Sequence, residues 1–413
     1  MKEEIFTYLN QPGQLEKLYR ANKADFKRAF NTLYPELKGN ASADFWNERL
    51  NYEAEGLTWG TRKELLFVII ASLAAGLIAK LPAILSISED FFYPRNIGFI
   101  VFPGLSVYFA WKNKLSLGKT AFIIGTSLFG LVFINSLPEA ENSDTLILSC
   151  IHLLVFLWLV FCFAFVGDRK INVEKRLNFL KYNGDLIVMA SLILLAGAIL
   201  TGITIGLFSL IGYDIQQFYT EYVVVFGLAA VPMAGTHLTR TNPQLVGKIS
   251  PVIAKIFSPL VLVMLVIYLS AIIYSGKDPY NDREFLLMFN ALLIGVMALI
   301  FFSVAETSAT KSRMEVWVLF LLSIVTIIVN GIALSAILFR ISEWGITPNR
   351  TAVLGGNVLI LIHLLSVTGR LFRVLSRKSG INSLGKAIAS YLPVYFIWAI
   401  IVTFIFPFIF GFK

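Results

Sequence analysis

The residues of this sequence that could carry chemistry inside a membrane are amines, imidazoles and amides. They lie in long apolar runs, where a polar group is costly to bury, so each is a functional candidate by default. Carriers driven by protons or sodium commonly hold the cation on a carboxylate buried in the membrane. In this sequence the carboxylates lie in loops or at the ends of the apolar runs, and none lies in the middle of a run. We therefore expect a cavity suited to an anionic or a neutral solute. Its candidate lining residues are Lys80, His152, Asn330 and His363.

Each of these residues also has a simpler interpretation. Lys80 lies about two turns from the end of its run, so its amine could reach the membrane interface. Pro82 would kink the same helix and free a carbonyl there, which keeps the position of interest. The histidines could each bond to a neighbouring helix, a common role for a buried polar side chain in a membrane bundle.

Motifs for enzymatic chemistry are missing from the sequence. The three histidines lack metal spacing such as His-Glu-x-x-His, and no Gly-x-Ser-x-Gly elbow or Walker loop occurs. His363 with Asn330 or Asn357 could form an acyl-transfer site, although such pairs are common by chance. We expect no catalytic, cofactor-binding or metal-binding residue, so energy for transport would come from a gradient or a partner.

Two loops predicted to be external are rich in polar residues: Ser275 to Glu284 and Arg340 to Arg350. Helix caps and turns account for most of this polarity, with Gly345 ending one helix and Pro348 starting a turn. The alternative is an ion-pair cluster that gates a cavity. The candidate external gate residues are Asp278, Asp282, Arg340, Glu343 and Arg350.

Composition sets the fold class as an all-α, polytopic transmembrane helix bundle. Of the 413 residues, 57% are hydrophobic and 15% are charged, and the mean hydropathy is +0.73. In lipid the backbone must satisfy its own hydrogen bonds, and these runs do not alternate like barrel strands. We predict about eleven spans: Glu64–Ser88, Ile97–Trp111, Thr120–Leu137, Thr145–Gly167, Leu186–Gly212, Tyr222–Leu238, Ile256–Tyr274, Phe285–Ala305, Val316–Phe339, Ala352–Val367 and Ile388–Phe410. The second, short and broken at Pro103-Gly104, could instead be re-entrant.

The distribution of basic residues predicts the orientation. With eleven spans, 28 of the 35 lysines and arginines fall on the side of the N-terminus. Cytoplasmic loops carry such an excess, so we expect a cytoplasmic N-terminus, an external C-terminus and a location in a cell membrane. The net charge of +9 is thereby explained without nucleic acid. The lipid bilayer, including anionic lipid at the densest basic loops, is the expected partner.

Residues 1–62 form a different kind of segment, a cytoplasmic amphipathic arm that precedes the bundle of residues 63–413. Apolar residues recur at helical spacing from Leu15 to Leu33, with Pro35 and Gly39 ending this helix. Ser42 could cap a second, shorter helix. The arm is expected to be too small for a sizeable core, so it would pack on the bundle, lie on headgroups or dock a protein partner.

Four stretches resemble a bacterial membrane family known as domain of unknown function 4153. They are Glu343-Trp-Gly-Ile-Thr-Pro-Asn-Arg350, Asp278-Pro-Tyr-Asn-Asp-Arg-Glu-Phe285, Gly227-Leu-Ala-Ala-Val-Pro232 and Leu392-Pro-Val-Tyr-Phe-Ile-Trp398 through Phe406-Pro407. The resemblance covers most of the chain after the arm. It implies a bacterial cytoplasmic (inner) membrane protein and brings no activity with it.

These observations rank three functions. The first is a carrier or pathway for an anionic or lipid-linked substrate. The second is a membrane scaffold or signalling subunit that docks a partner through the arm. The third is an intramembrane transferase that uses His363.

Overall fold

The computed structural model describes residues 1–51, 59–138, 143–167, 173–210, 214–246, 249–275, 280, 283–305, 313–377 and 382–413. Over these residues the chain is almost entirely helical and contains no strand. It divides into two compact units, Met1–Thr58 and Trp59–Lys413. The all-helical prediction is therefore confirmed for the described part of the chain.

The first unit contains four helices: α1 (Lys2–Thr7), α2 (Pro12–Ala21), α3 (Lys23–Leu37) and α4 (Ala41–Asn51). The single helix predicted across Leu15 to Leu33 was wrong, because it breaks at Asn22. The Asn22 side chain accepts a hydrogen bond from the backbone N–H of Asp25 at 3.2 Å and so caps α3. Pro35 lies inside α3, and the turn after this helix uses Gly39 at φ +97°.

The arm has an apolar core of its own, so the expectation that it is too small for one was wrong. Trp46 is buried, with its ring centroid 5.2 Å from that of Phe26 and 5.6 Å from that of Tyr19. Ser42 does not cap α4. Its hydroxyl donates to the Leu9 carbonyl at 2.6 Å, while Asn40 accepts from the first N–H groups of α4.

The second unit is built from eleven long helices over the ranges described. The last of them contains a π-helical turn, Ile401–Ile405, and continues to Ile409. The helices are α5 (Arg62–Leu85), α6 (Glu89–Lys112), α7 (Leu117–Ser136), α8 (Asp144–Val166), α9 (Val173–Leu210), α10 (Gln216–Thr241), α11 (Ile249–Ser275), α12 (Arg283–Ala305), α13 (Arg313–Trp344), α14 (Pro348–Leu375) and α15 (Asn382–Ile400).

Eight of these helices are long and apolar enough to cross a membrane: α5, α7, α8, α9, α10, α13, α14 and α15. The protein is therefore a multi-pass membrane protein. In α11 and α12 the described apolar segments are shorter, Lys255–Ile267 and Phe289–Ala305. Helix α6 runs unbroken through Pro103, so the predicted break at this position was wrong.

Small residues and prolines shape the packing of the bundle. Pro407 has no N–H to bond the Thr403 carbonyl one turn earlier, and the Ser149 hydroxyl donates to that carbonyl at 2.9 Å instead. Gly355 lets the Trp398 ring lie directly against the backbone of α14, because a Cβ at this glycine would be 2.0 Å from the ring. Close approach at glycine is a common way for membrane helices to associate.

The core of the arm predicts unequal effects at two adjacent positions. Trp46→Ala should destabilise the arm by about 3–5 kcal/mol because it empties a buried site. Phe45→Ala is the matched control, since Phe45 is 62% exposed. Hydrogen–deuterium exchange of residues 1–51 in the full-length protein measures the difference. Equal protection in the two variants would contradict the described core.

Helix α14 provides a second matched pair. Gly355→Ala should lower the stability of the bundle by about 1–3 kcal/mol, because the new methyl group must displace Trp398. Gly356→Ala should have little effect, since no atom lies within 4 Å of a Cβ built there. Thermal unfolding of both variants in detergent tests this contact, and an equal melting temperature for Gly355→Ala and wild type would refute it.

Candidate functional site

A cavity of about 640 Å³ opens where the ends of four helices meet: the C-terminal ends of α6, α8 and α10 and the N-terminal part of α9. This volume is typical of sites for small organic ligands. The cavity wall combines aromatic, amide and charged side chains. The lining residues are Phe109, Asn113, Phe165, Val166, Gly167, Lys175, Asn178, Lys181, Tyr182, Asp185, Thr239, Arg240 and Pro243.

The first wall depends on the C-terminal end of α8. The Asn113 amide donates to the carbonyls of Ala164 at 3.0 Å and Phe165 at 2.9 Å. Gly167 has φ +68° and ends the helix, and Lys119 donates to its carbonyl at 2.6 Å. A cation and an amide donor thus satisfy carbonyls that a helix end leaves without an intrahelical partner. The ends of α6 and α8 are held together as a result.

The second wall is one face of α9. Lys175, Asn178, Lys181, Tyr182 and Asp185 recur every three or four residues, so they lie along one side of the helix. The Tyr182 hydroxyl forms a 2.7 Å hydrogen bond with Thr236 of α10, which fixes α9 against that helix. The α9 face therefore presents two amines and one buried carboxylate to the cavity.

Arg240 is the most distinctive group in the cavity. Its guanidinium lies 5.7 Å from the ring centroid of Phe109 and 5.9 Å from that of Phe165, within cation–π range. Within the described ranges it has no hydrogen bond and no ion pair. The neighbouring Thr239 also has a buried hydroxyl without a hydrogen-bond partner among the described atoms. The Arg240 side chain is exposed, so its donors are accessible to a ligand that enters the cavity.

A second polar cluster lies at the same end of α6. The Glu64 carboxylate, at the start of α5, is 5% exposed and accepts hydrogen bonds from Tyr108 and, at 2.6 Å, from Lys112. Nearby on α10, the Nε2 atom of His237 is 3.2 Å from the Trp59 carbonyl. Because Lys112 is paired here, its charge is largely compensated.

The comparisons with known proteins add no relative from which a role could be transferred. No family model, curated protein or solved structure matches this chain. The chemistry of the cavity therefore has to be inferred from its own residues.

The four residues predicted to line a cavity have separate surroundings, and none of them lines this one. The Lys80 amine lies 3.9 Å from the Glu221 carboxylate and 4.4 Å from the centroid of the Tyr222 ring. His152 is bonded through Nδ1 to the Leu148 carbonyl of its own helix at 2.9 Å. Both environments are those of polar groups satisfied by nearby helical residues.

Asn330 and His363 are completely buried. The Asn330 amide donates to the Asn357 carbonyl at 3.2 Å, linking α13 to α14. His363 forms a 3.0 Å hydrogen bond with the Tyr395 hydroxyl and stacks on Tyr391 with centroids 4.3 Å apart. No hydrogen bond between His363 and either asparagine occurs among the described residues, so the structure does not assemble the acyl-transfer pairing.

The predicted external gate is described only in part. Asp278 and Asp282 lie outside the described residues. The Arg350 guanidinium donates to the carbonyls of Trp344 and Gly345, both at 2.7 Å, and Arg340 donates to the Tyr280 carbonyl at 2.8 Å. Glu343 is exposed. Arg350 therefore stabilises the turn between α13 and α14, whereas Arg340 joins α13 to the segment between α11 and α12.

Sequence reasoning treated the lysines and arginine of the cavity as determinants of topology. A sequence signal did exist, because the polar stripe from Lys175 to Asp185 continues into an apolar helix with regular spacing. What the sequence could not indicate is that Arg240 meets this stripe, since that contact depends on how α9 and α10 pack.

The Glu64 cluster predicts an asymmetry between two variants. Lys112→Met leaves a buried carboxylate with fewer partners and should cost about 1–3 kcal/mol of stability. Glu64→Gln should cost less, because the neutral amide still accepts from Tyr108 and Lys112. Thermal unfolding in detergent compares them, with Lys63→Met at an exposed neighbouring position as the control. A larger loss for Glu64→Gln would refute the assigned pairing.

Proposed function

We propose that this protein is a carrier or pathway for an anionic or lipid-linked substrate, and that the substrate binds in the cavity between α6, α8, α9 and α10. The observation that carries the proposal is Arg240, a guanidinium held by two aromatic rings without an acceptor in the described structure. A guanidinium has five N–H donors and no acceptor, so an anion is its natural ligand. Two lysines and one carboxylate of α9 also line the cavity.

The membrane arrangement is part of the same proposal. Eleven crossings, with the N-terminus in the cytoplasm and the C-terminus outside, put the ends of α6, α8 and α10 on the cytoplasmic side. The meeting of these three ends in one cavity supports that threading, including a full crossing by α6. We also propose that the chain belongs to the family known as domain of unknown function 4153 and that it lies in the bacterial cytoplasmic membrane.

A scaffold or signalling subunit is the second candidate. It is favoured by the arm, which is a compact unit with its own core and could present a constant surface to a cytoplasmic protein partner. A transferase at His363 has less support, because this histidine is fully buried against Tyr391 and Tyr395.

The carrier function can be tested by comparing lipid and metabolite pools in cells with and without the protein. At least one anionic or lipid-linked compound should accumulate on one side of the membrane in the deletion strain. Wild type and Arg176→Gln should restore its level, whereas Arg240→Gln should not, because it removes the cationic donor from the cavity. Arg176 is a matched control on α9, adjacent to Lys175 but outside the cavity lining.

Full restoration by Arg240→Gln would refute the proposed binding site. Deleting residues 1–55 separates the two leading candidates, because this change leaves the cavity intact. A folded deletion variant that restores the pools supports the carrier. One that folds but restores nothing supports a docking role for the arm.

A further inference from the structure

We infer that His237 is a proton-binding site and that its protonation promotes anion binding at Arg240, an inference that rests on the proposed function and names the coupling ion. The carrier would then move its anionic substrate together with a proton. Three features of the described residues support this role: the hydrogen bond of one ring nitrogen of His237, the buried carboxylate beside the ring, and the position of Arg240 one turn further along α10.

The hydrogen bonding of His237 leaves one ring nitrogen open. His237 is 3% exposed, and its Nε2 atom lies 3.2 Å from the Trp59 carbonyl oxygen. Because a carbonyl only accepts hydrogen bonds, Nε2 carries the hydrogen in this contact. In the neutral ring Nδ1 is then an acceptor, and it is buried without a hydrogen-bond partner among the described residues. Nδ1 is therefore the atom that can take up a proton.

A buried carboxylate lies beside this ring. A Cβ built at Gly60 would be 3.2 Å from Oε2 of Glu64 and 3.2 Å from Cε1 of His237, so the two side chains approach each other at this glycine. The hydrogen bonds that Glu64 accepts from Tyr108 and Lys112 both go to Oε1. Its Oε2 accepts none from the described residues. An imidazolium at His237 would therefore have an opposite charge close by, which stabilises it.

Helices α5, α6 and α9 pack against α10 and carry further ionisable groups at this end of it. In the described structure these are Arg62, Lys63 and Glu64 of α5, Tyr108 and Lys112 of α6, and Lys181, Tyr182 and Asp185 of α9, with Arg240 on α10 itself. Arg62 and Lys63 are exposed at the start of α5. Lys112 is paired with Glu64 at 2.6 Å, so its repulsion of a charged His237 ring is reduced.

Protonation of His237 would act on the anion site through charge. His237 and Arg240 are three residues apart on α10, so their side chains are neighbours on one side of the helix. The neutral ring adds no charge beside Arg240, whereas the imidazolium adds one positive charge. An anion at Arg240 and a proton at Nδ1 therefore attract each other, and each raises the affinity for the other by the same factor. The step forms one N–H bond, and water supplies and accepts the proton.

The proposed acceptor differs in kind from the usual one. Carriers driven by protons commonly use a carboxylate buried in the membrane, and this sequence has none in the middle of an apolar run. At His237 an imidazole binds the proton. Glu64 only balances the resulting charge, which it can do from the end of α5.

The first test is NMR of the full-length protein in detergent with 15N-labelled histidine. The chain has three histidines, and His237→Gln assigns the signals of this one. His237 should carry hydrogen on Nε2 alone at about pH 9 and on both nitrogens at about pH 5. Glu64→Gln should lower the doubly protonated fraction severalfold at a fixed intermediate pH, because the opposite charge is lost. A hydrogen on Nδ1 alone at high pH, or no change on acidification, would overturn the proton site.

The second test is calorimetric titration of the same protein with benzenesulfonate, a planar aromatic anion whose charge does not change in this pH range. Its affinity should be at least about fivefold higher at about pH 6 than at about pH 8. Repeating the titration in buffers of different ionisation heat should show that protons are taken up on binding.

A matched pair of variants assigns this linkage to one histidine. His237→Gln should bind benzenesulfonate equally at both pH values and take up no proton, because an amide can still donate to the Trp59 carbonyl but does not become charged. His152→Gln is the control and should behave like wild type, since His152 is bonded to a carbonyl of its own helix. Melting temperatures check that both variants fold. If His237→Gln is unstable, wild-type protein without proton uptake or pH dependence would still contradict the linkage.

Failure of the inference can be told apart from failure of the proposed function. If benzenesulfonate binds, Arg240→Gln abolishes binding, and the wild-type affinity is the same at both pH values, the inference is overturned and the proposed function stands. If His237 takes up a proton as expected but benzenesulfonate does not bind at millimolar concentration, the proposed anion site is overturned, and the coupling with it.

Discussion

A backbone carbonyl that cannot bond within its own helix must find another donor when water is scarce, and this constraint places most of the polar side chains in the bundle. Arg95 donates to the carbonyls of Ile134 and Leu137 at the end of α7, both at 3.3 Å. Arg350 donates to the Trp344 carbonyl at the end of α13, and Asn113 donates to the Ala164 carbonyl near the end of α8. These two arginines and this asparagine thus have structural roles.

Against that background Arg240 is unusual. It lies at the end of α10, where a cation is expected for electrostatic reasons, yet it forms no hydrogen bond within the ranges described. Its guanidinium lies near aromatic rings and not against helix-end carbonyls. A cation whose donors are not bonded to the protein can bind a ligand without first breaking an internal contact, and in this respect Arg240 differs from Arg95 and Arg350.

Sequence reasoning was most successful where one physical requirement dominates. Each predicted span overlaps a helix in the described part of the chain, because a long apolar run in lipid has few alternatives to a helix. Sequence reasoning failed where alternative local hydrogen bonds or backbone conformations decide whether a helix continues. Asn22 breaks the arm helix because its side chain caps α3 better than its backbone continues α2, and Pro103 is accommodated within α6 despite its missing N–H group.

The candidate site was predictable in its chemistry but not in its location. The excess of amines, imidazoles and amides over acids inside the runs predicted Lys80, Asn330 and His363 as lining residues of a cavity, but each of them contacts a neighbouring helix and none lines the cavity described here. Lys175, Lys181 and Arg240 looked like loop charges because they lie beyond the apolar runs. Only the packing of α9 against α10, fixed by Tyr182 and Thr236, brings two charge-bearing segments more than fifty residues apart into one cavity.

The pairing of Lys112 with Glu64 completes the electrostatic argument. Without this carboxylate the amine of Lys112 would be an unpaired positive charge at the end of α6, next to the cavity wall that contains Asn113. Burial of Glu64 against Tyr108 and Lys112 localises that charge on a structural contact between α5 and α6. Arg240, by contrast, has no ion pair in the described part of the chain, so its charge is available to a ligand. The affinity of the cavity for an anion thus depends as much on the lysine that is neutralised as on the arginine that is not.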